Sequence, residues 1–322
     1  MNNIDPRPNN FSTAMREIWL QIVQKLLSVS NLIRNRRSSQ FSPKFDAFRH
    51  EKLLGRGSEL KKAVKDHWEA ETCGVRYGEG DEIEKARYTL EPYICDFAQF
   101  NKAKNKKILE IGVGAGVDFV NWLRNGAHAV GVDLTEAAIN ITRKRVQENR
   151  IHANMYSLRT ADAENLPFAD NEFDIVYSWG VLHHTPDTVH AFREAFRVLS
   201  PGGELKAMIY HVRSFTGILL WIQHCLLKGK PYKGLKYAIY HHLESPGTKA
   251  YTLDETWEFL HEIGYKEIKL KTILCAGDLL TIKPSRKYQS PIYKLIWLLY
   301  PRWFVRMSGD GFGLNLLIEA KK

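Results

Sequence analysis

The strongest constraint on this chain is the stretch KKILEIGVGAGV at residues 106–117, where three glycines follow an apolar run directly. Gly112, Gly114 and Gly116 are followed at once by a pattern of helical period. Such a strand–turn–helix lets the backbone approach a ligand closely, and the first turn of the helix offers unpaired amide groups. The stretch predicts a nucleotide-like ligand, with a purely structural tight turn as the alternative.

The spacing of the glycines narrows the type of ligand. A dinucleotide-binding turn has the form G-x-G-x-x-G, and the position of its third glycine is occupied here by Val117. Glu110 adds a negative charge at the end of the preceding strand. The turn therefore favours a smaller, cationic or zwitterionic ligand over a pyrophosphate.

Strand-like and helix-like segments alternate after this turn, which is typical of a parallel sheet covered by helices on both faces. The predicted strands cover 106–112, 127–132, 156–159, 173–179, 204–210, 265–272 and a final stretch at 311–322.

The regions outside this alternation predict the domain organisation. Residues 1–62 are interpreted as an N-terminal helical extension and linker, and residues 63–322 as the main domain, with cap insertions at about 211–252 and 274–310. Apolar stretches at 18–33, 215–227 and 292–307 are too short to span a membrane as helices. Core or lid packing is the first interpretation of these stretches, and lipid contact the second.

Composition and charge exclude several classes of protein. The 322 residues carry a formal charge of +10, but the basic residues are scattered, so solvated faces are favoured over an anionic partner. The four cysteines lie far apart, which indicates neither a zinc site nor a disulfide framework. The polar N-terminus lacks the pattern of a secretory signal. We expect a cytoplasmic protein without a bound metal.

Acidic residues follow two further predicted strands, at the sheet edge where ligands of such folds bind. Asp133 is placed to accept hydrogen bonds from ribose hydroxyls; alternatively it caps the helix that starts near Thr135. Asp162 can accept from the exocyclic amino group of adenine while the Ala163 amide meets a ring nitrogen; alternatively it forms an Asx turn.

The sequence SWGVLHHTPD after the fourth predicted strand supplies candidates for the reacting end of the site. Ser178, Trp179, Gly180 and His183 are expected to line the crevice. His183 or its neighbour His184 can act as a general base, with a structural hydrogen-bonding role as the alternative. No G-x-S-x-G or H-E-x-x-H motif occurs.

The aromatic segment at 59–100 can fold across the ligand site and bring Tyr77, Arg87 or Tyr88 close to it. Simple packing of Tyr88 onto the sheet is the alternative.

With these motifs in order, the sequence resembles the class I S-adenosylmethionine-dependent methyltransferases, more narrowly the methyltransferase type 11 family. The likeness rests on ILEIGVGAG, VDLT, ADAENLPFADNEFDIVYSWGVLHHTPD and FRVLSPGGEL, and it covers roughly residues 66–212. It implies a doubly wound α/β fold with a seven-stranded sheet, mostly parallel, in which the last strand is antiparallel.

The resemblance also implies S-adenosylmethionine as the cofactor and assigns roles to residues. The glycines of the turn would pass its methionine part, Glu110 would orient the amino group, and Trp179 and Gly180 would lie near the sulfonium. Asp133 would hold the ribose and Asp162 with Ala163 the adenine. Three further residues complete the predicted cofactor site, namely Leu134, Ser178 and Tyr88.

We therefore predict methyl transfer by direct displacement to the oxygen or carbon of a small-molecule or lipid-like acceptor, with His183 as the candidate base. Direct displacement needs mainly alignment, so no catalytic triad is required. Peripheral membrane contact is a secondary expectation. The alternatives are a nucleic-acid methyltransferase or RNA-binding protein, motivated by the charge, and a non-catalytic binder of the cofactor.

Overall fold

One seven-stranded sheet organises the part of the chain that the structure, a computed structural model, describes: residues 57–75, 78, 80–282 and 298–322. The strands are β1 Lys107–Ile111, β2 His128–Asp133, β3 Tyr156–Thr160, β4 Phe173–Trp179, β5 Leu199–Tyr210, β6 Lys266–Ile273 and β7 Asn315–Lys321. Their order across the sheet is β3-β2-β1-β4-β5-β7-β6. Only β7 runs antiparallel to its neighbours, β5 and β6. The predicted fold class is therefore confirmed.

Helices connect these strands and cover both faces of the sheet. In the described part they are α1 Gly57–Ala70, α2 Asp81–Leu90, α3 Ile94–Ala98, α4 Val117–Arg124, α5 Glu136–Glu148, α6 Thr188–Val198, α7 Phe215–Trp221, α8 Leu235–His242, α9 Leu253–Ile263 and α10 Arg302–Met307. A π-helical turn at Ile222–Leu226 continues α7.

The alternation of side chains along β1 assigns its residues to two separate cores. Ile108 packs with α4 and α5 on one face, whereas Leu109 and Ile111 pack with α6 and α9 on the other. Successive side chains of a strand point to opposite faces, so Glu110 shares the α4 face with Ile108. A carboxylate is thereby placed inside a largely apolar layer.

Two details differ from the sequence-based expectation. β5 begins at Leu199 rather than at 204, because the chain pairs with Phe173 and then shifts register around Pro201 before pairing resumes at Glu204. The expected boundary between residues 62 and 63 falls inside α1, which is continuous from Gly57 to Ala70. The division into extension and main domain stays a prediction, since residues 1–56 lie outside the described part.

The first insertion, after β5, forms α7, the π-helical turn and α8. Of the second insertion, residues 283–297 lie outside the described part, and α10 follows.

A buried carboxylate joins both insertions to the sheet. Asp278 Oδ1 accepts hydrogen bonds from the amide and hydroxyl of Thr216, at the start of α7, at 3.0 and 2.9 Å. Its Oδ2 accepts from the amides of Cys275 and Leu314 at 3.1 and 2.7 Å. Burial raises the pKa of Asp278, and the four donors oppose part of that rise.

Candidate functional site

The glycine turn joins β1 to α4 in a conformation that only glycine adopts easily. Gly112, Gly114 and Gly116 have φ angles of +84°, +50° and +75°. A Cβ on Gly112 would lie 2.1 Å from the Val181 side chain, and one on Gly116 would lie 2.8 Å from Thr142 Oγ1. Contacts within the protein therefore already require two of the three glycines. Gly114 has more room, with its nearest neighbour at 3.5 Å.

Asp133 links this turn to the end of β2. Its Oδ2 accepts from the Gly114 amide at 3.2 Å, and its Oδ1 accepts from the amide and hydroxyl of Thr135 at 3.0 and 2.8 Å. Thr135, not Asp133, caps α5 through the Ala138 amide. Burial raises the pKa of Asp133, and hydrogen bonds from Thr135, Gly114 and the Leu134 amide oppose the rise, so a ligand would share the carboxylate with these donors. The half-buried Leu134 lies between the two polar residues.

Glu110 is the most unusual ionisable residue of the site. Its side chain is 4% exposed, and its Oε2 has no hydrogen-bond partner among the described residues. Burial raises the pKa of Glu110 well above its ordinary value; the nearby Asp118 carboxylate adds to the rise and Arg87 opposes it. A cation placed beside Glu110 would supply the missing partner and favour the ionised form.

Arg87 and Tyr88 contact Asp118, which lies in the first helical turn of α4, directly after the glycine turn. Arg87 Nε lies 2.7 Å from Asp118 Oδ1, and a second nitrogen of its guanidinium contacts Oδ2. The same carboxylate accepts from Tyr88 at 3.1 Å and from Tyr177 at 2.7 Å. The Tyr88 hydroxyl also accepts from Asn121 at 3.0 Å. Tyr88 is therefore engaged with α4, and its contact with a ligand stays a prediction.

Tyr77, the other aromatic residue expected near this end of the site, lies outside the described residues.

Asp162 follows β3, as expected, and forms an Asx turn by accepting the Glu164 amide at 2.9 Å. It also contacts Lys61 of α1, whose Nζ lies 2.6 Å from Asp162 Oδ2 and 2.5 Å from Glu164 Oε2. Ala163 is buried beside it. Asp162 thus has the alternative role of an Asx-turn residue. A ligand amino group that binds Asp162 would share its carboxylate with Lys61.

The three residues at the end of β4 have different surroundings. Ser178 is fully buried and donates to the Ile111 carbonyl at 3.0 Å, so it fastens β4 to β1 and does not line the crevice as expected. Trp179 is half-buried, and its indole nitrogen donates to Glu91 at 3.2 Å. Gly180 has a φ of +73° and also lies half-buried. Trp179 and Gly180 thus remain available to a ligand.

His183 is fully buried, and neither of its ring nitrogens has a hydrogen-bond partner among the described residues. Its ring centroid lies 4.1 Å from that of Tyr210, at the end of β5, and 4.2 Å from that of His184. Burial lowers the pKa of His183 well below its ordinary value, and the nearby His184 and Lys249 act in the same direction. The imidazole is therefore neutral at physiological pH and has one unprotonated nitrogen.

His184, in contrast, has structural partners. Its Nδ1 lies 2.8 Å from Ser245 Oγ and 3.2 Å from Thr248 Oγ1. Its Nε2 faces Glu244 Oε2 at 3.7 Å. Burial, with Lys249 and His67 as smaller causes, lowers its pKa to about 3. Of the two histidines, His183 is the better candidate for a base.

Helix α1 covers the site. Besides the contact of Lys61 with Asp162, Glu69 accepts the Ala137 amide at 3.1 Å, and the rings of Trp68 and His184 pack edge to face at 5.4 Å. A single helix therefore touches the segments that follow β2, β3 and β4.

Sequence reasoning missed the charged residues that support the site, above all Asp118 and Glu91. Glu91 accepts from Trp179 and, at 2.8 Å, from Asn315 of β7. An acidic residue inside the apolar helix VDFVNWL is the one sequence signal that marks Asp118.

Two further site types find no support in the described part of the chain. No group of three His, Cys, Asp or Glu side chains is placed there to hold a metal ion. None of the described helices is long and apolar enough to cross a membrane.

Comparison with known proteins finds similarity to methyltransferases over part of the chain. Residues 109–206 match the model of a family described as a methyltransferase domain. The ubiquinone biosynthesis O-methyltransferase of Hahella chejuensis is 30% identical over 137 residues, which are 42% of this chain and 56% of that protein. The ubiquinone/menaquinone biosynthesis C-methyltransferase of Bartonella quintana is 36% identical over 102 residues, 31% and 39% of the two chains. The chain thus spans about half or less of these relatives.

A solved structure extends the likeness beyond the matched segment. The geranyl diphosphate C-methyltransferase of Streptomyces coelicolor superposes with a TM-score of 0.55 over 82% of this chain and 98% of that one, at 17% identity. Identity this low establishes the fold alone. Residues 109–206 are thus similar to a methyltransferase domain, and the seven-stranded sheet has the fold of the Streptomyces coelicolor enzyme.

Proposed function

We propose that this chain is an S-adenosylmethionine-dependent methyltransferase that acts by direct displacement on a small-molecule or lipid-like acceptor. The observation that carries the proposal is the buried Glu110, whose Oε2 has no partner among the described residues, directly before the glycine turn. A carboxylate with a raised pKa in this position is suited to a ligand that brings an ammonium group.

The other polar groups fit the remaining parts of that cofactor. Asp133, at the end of β2, can share its carboxylate between its backbone donors and a ribose hydroxyl. Asp162 and the amide of Ala163 are suited to an adenine edge, with Lys61 sharing the carboxylate. Trp179 and Gly180, at the end of the central strand β4, are placed to flank the reactive end. When bound, S-adenosylmethionine supplies a methyl group already activated by its positive sulfur.

The glycines at 112 and 114 allow the backbone conformation of the turn, but their amides already donate hydrogen bonds within the protein. The amides of Gly112 and Val113 both donate to the Val132 carbonyl, at 2.7 and 3.2 Å, and the Gly114 amide donates to Asp133. The turn is thus preorganised, which lowers the entropic cost of binding.

His183 is proposed as the base for a hydroxyl acceptor. Its neutral imidazole, unpartnered among the described residues, can take the acceptor proton as the new O–C bond forms. An acceptor that reacts at carbon would need this base less. The relatives named above include one O- and one C-methyltransferase of quinone biosynthesis, and these names support a small organic acceptor without selecting the atom.

Isothermal titration calorimetry with S-adenosylmethionine and S-adenosylhomocysteine tests the cofactor assignment. We expect both to bind the unmodified chain, and Glu110→Gln to weaken binding by at least tenfold. Glu148→Gln, an exposed change of the same chemistry on α5, is the matched control and should leave the affinity unchanged. Absence of binding by the unmodified chain would refute the proposal.

The acceptor is sought by incubating cell extracts with the enzyme and methyl-labelled S-adenosylmethionine. Mass spectrometry should then find a small molecule or lipid that gains the labelled methyl group. Label recovered in nucleic acid instead would support the alternative acceptor class and contradict the small-molecule proposal.

A further inference from the structure

The positive charge of the chain is concentrated in its two cap insertions. Residues 211–243 contain five Lys or Arg and no Asp or Glu, and residues 279–309 contain six and none. Without these eleven, 35 of the 46 basic residues remain against 36 acidic ones, so the rest of the chain has a formal charge of −1. Most of the basic residues are scattered, as expected, but the net positive charge lies in the insertions.

The same insertions carry most of the exposed large apolar side chains of the described residues. Seven of the ten belong to them: Leu226, Leu227, Tyr232, Leu298, Leu299, Trp303 and Met307. Leu227 and Leu298 are 74% and 77% exposed, which is far more than a side chain at the edge of a core would be. Apolar exposure and positive charge thus coincide in two separate segments of the sequence.

The tip of the first insertion shows the combination most directly. Residues 226–230, with the sequence LLKGK, are all exposed and follow the buried Cys225. Lys228 and Lys230 are therefore adjacent to two outward-facing leucines. Some basic residues of the insertion are engaged elsewhere, since Lys236 pairs with Glu255 at 2.6 Å and Lys233 lies 3.8 Å from the Tyr237 ring centroid.

We propose that residues 226–230 and the exposed residues of 298–307, the described exposed parts of the two cap insertions, dock the protein onto an anionic lipid bilayer. Leucine and tryptophan side chains enter the boundary between headgroups and acyl chains, while lysine and arginine pair with anionic headgroups. A nucleic acid would also attract the charge, but exposed leucines neither stack on bases nor pair with phosphates. The exposed leucines and lysines of the insertions therefore favour a lipid partner over a nucleic acid.

Docking of the cap would place the acceptor side of the site next to the bilayer. The first insertion begins directly after β5, whose last residue, Tyr210, contacts His183. Tyr210 in turn donates to Glu244, at the end of the same insertion, at 2.8 Å. This consequence rests on the proposed methyl transfer, and it selects an acceptor dissolved in or anchored to the membrane.

Co-sedimentation of the full chain with lipid vesicles tests the docking. We expect binding to phosphatidylcholine vesicles that contain about 30% phosphatidylglycerol, and at least tenfold weaker binding to phosphatidylcholine alone. Lys228→Glu combined with Lys230→Glu should weaken binding to the anionic vesicles by more than tenfold. The control is Lys104→Glu with Lys106→Glu, an equal charge change just before the amino end of β1, whereas the first insertion follows the carboxyl end of β5. It should change binding at most slightly.

The contribution of the apolar side chains to vesicle binding is tested in high salt, where the attraction between basic residues and anionic headgroups is screened. Leu226→Ser with Leu227→Ser should remove the binding that persists there, and Trp303→Ser should weaken it. Trp257→Ser on α9, a tryptophan of similar exposure outside the insertions, should not. Circular dichroism verifies that each variant is folded.

Equal binding to neutral and anionic vesicles, or variants that bind as well as the unmodified chain, would overturn the proposal. So would tighter binding to a labelled single-stranded RNA than to anionic vesicles. Calorimetry with S-adenosylmethionine in the absence of vesicles separates the two proposals: a chain that binds the cofactor but no vesicle refutes the docking alone, and a chain that binds vesicles but no cofactor refutes the methyl transfer alone.

Discussion

Arg87 at the end of α2 forms a two-point ion pair with Asp118 at the start of α4. Asp118 is buried, with a side chain 2% exposed, and it lies close enough to Glu110 to raise the pKa of that carboxyl. Arg87 opposes this rise. We therefore expect the Arg87–Asp118 ion pair to affect two properties. One is the stability of the segment that precedes β1, and the other is the ionisation of Glu110, the proposed partner of the cofactor's ammonium group.

Removing the arginine should be costly. Arg87→Gln leaves the Asp118 carboxylate buried without its cation, so we expect a loss of about 3 kcal/mol in the free energy of unfolding, measured with urea. Combining it with Asp118→Asn should restore part of that loss. Arg124→Gln breaks the exposed pair with Glu84 and should cost less than about 1 kcal/mol. Equal losses in both arginine variants would contradict the structural role.

Glu110→Gln should separate stability from ligand binding. Burial raises the pKa of Glu110, so ionising it in the folded protein costs free energy near neutral pH. The neutral amide removes this cost, and we expect the melting temperature of the ligand-free protein to rise by about 2 °C, while cofactor affinity falls. An unchanged or lower melting temperature would show that the carboxylate is compensated by other groups.

Cofactor binding should also release protons. A bound ammonium lowers the raised pKa of Glu110, so the carboxyl loses its proton on binding within the window between the two pKa values. Affinity should therefore increase with rising pH across that window. Calorimetry in buffers of different ionisation enthalpy measures the released proton, and Glu110→Gln should abolish the release.

Asp133 should affect both binding and stability, because three hydrogen bonds from Gly114 and Thr135 converge on it. Asp133→Ala should cost about 1–2 kcal/mol of stability and abolish measurable cofactor binding. Asp133→Asn keeps an acceptor oxygen, so a smaller loss of stability is expected with affinity about tenfold weaker. Asp187→Ala removes the cap of α6 and should reduce stability alone.

The pH profile identifies the role of His183. Protonated imidazole cannot act as a base, and burial lowers the pKa of His183 well below 6.5. Turnover of a hydroxyl acceptor should therefore stay constant as pH falls through 6.5 and decrease only in more acidic solution. His183→Ala should reduce turnover about 100-fold with cofactor affinity unchanged, whereas His190→Ala, exposed on α6, should have no effect. A normal rate in His183→Ala would confine the residue to packing.

Local pattern is sufficient to predict the strands and a mainly parallel sheet, whereas the antiparallel last strand is implied only by the family resemblance. Apolar periodicity placed the strands within a few residues, and the glycine turn with Asp133 and Asp162 fell at three strand ends as expected. These features depend on neighbours that are close in sequence, so the chain displays them directly.

Contacts between distant segments were not predictable in this way. Lys61 and Asp162 are 101 positions apart, and Glu91 and Asn315 are 224 apart, so no local pattern links them. Ser178 is expected in the crevice because it lies near the end of its strand, but the pleat turns its side chain inward to the Ile111 carbonyl. Register decides such cases, and a single sequence does not display it.

The four hydrogen bonds to Asp278 have a mechanical consequence for the cap. They fix the start of α7 to the segment after β6 and to the residue before β7, so this end of the first insertion can leave the sheet only by breaking the two hydrogen bonds that Thr216 donates to Asp278. Because the Val212 amide also donates to the Tyr251 carbonyl at the other end of the insertion, we expect any opening of the cap to pivot at its base. The largest displacement then falls on the far end, the exposed tip at residues 226–230, so that an acceptor would enter past the tip and not past the pivot.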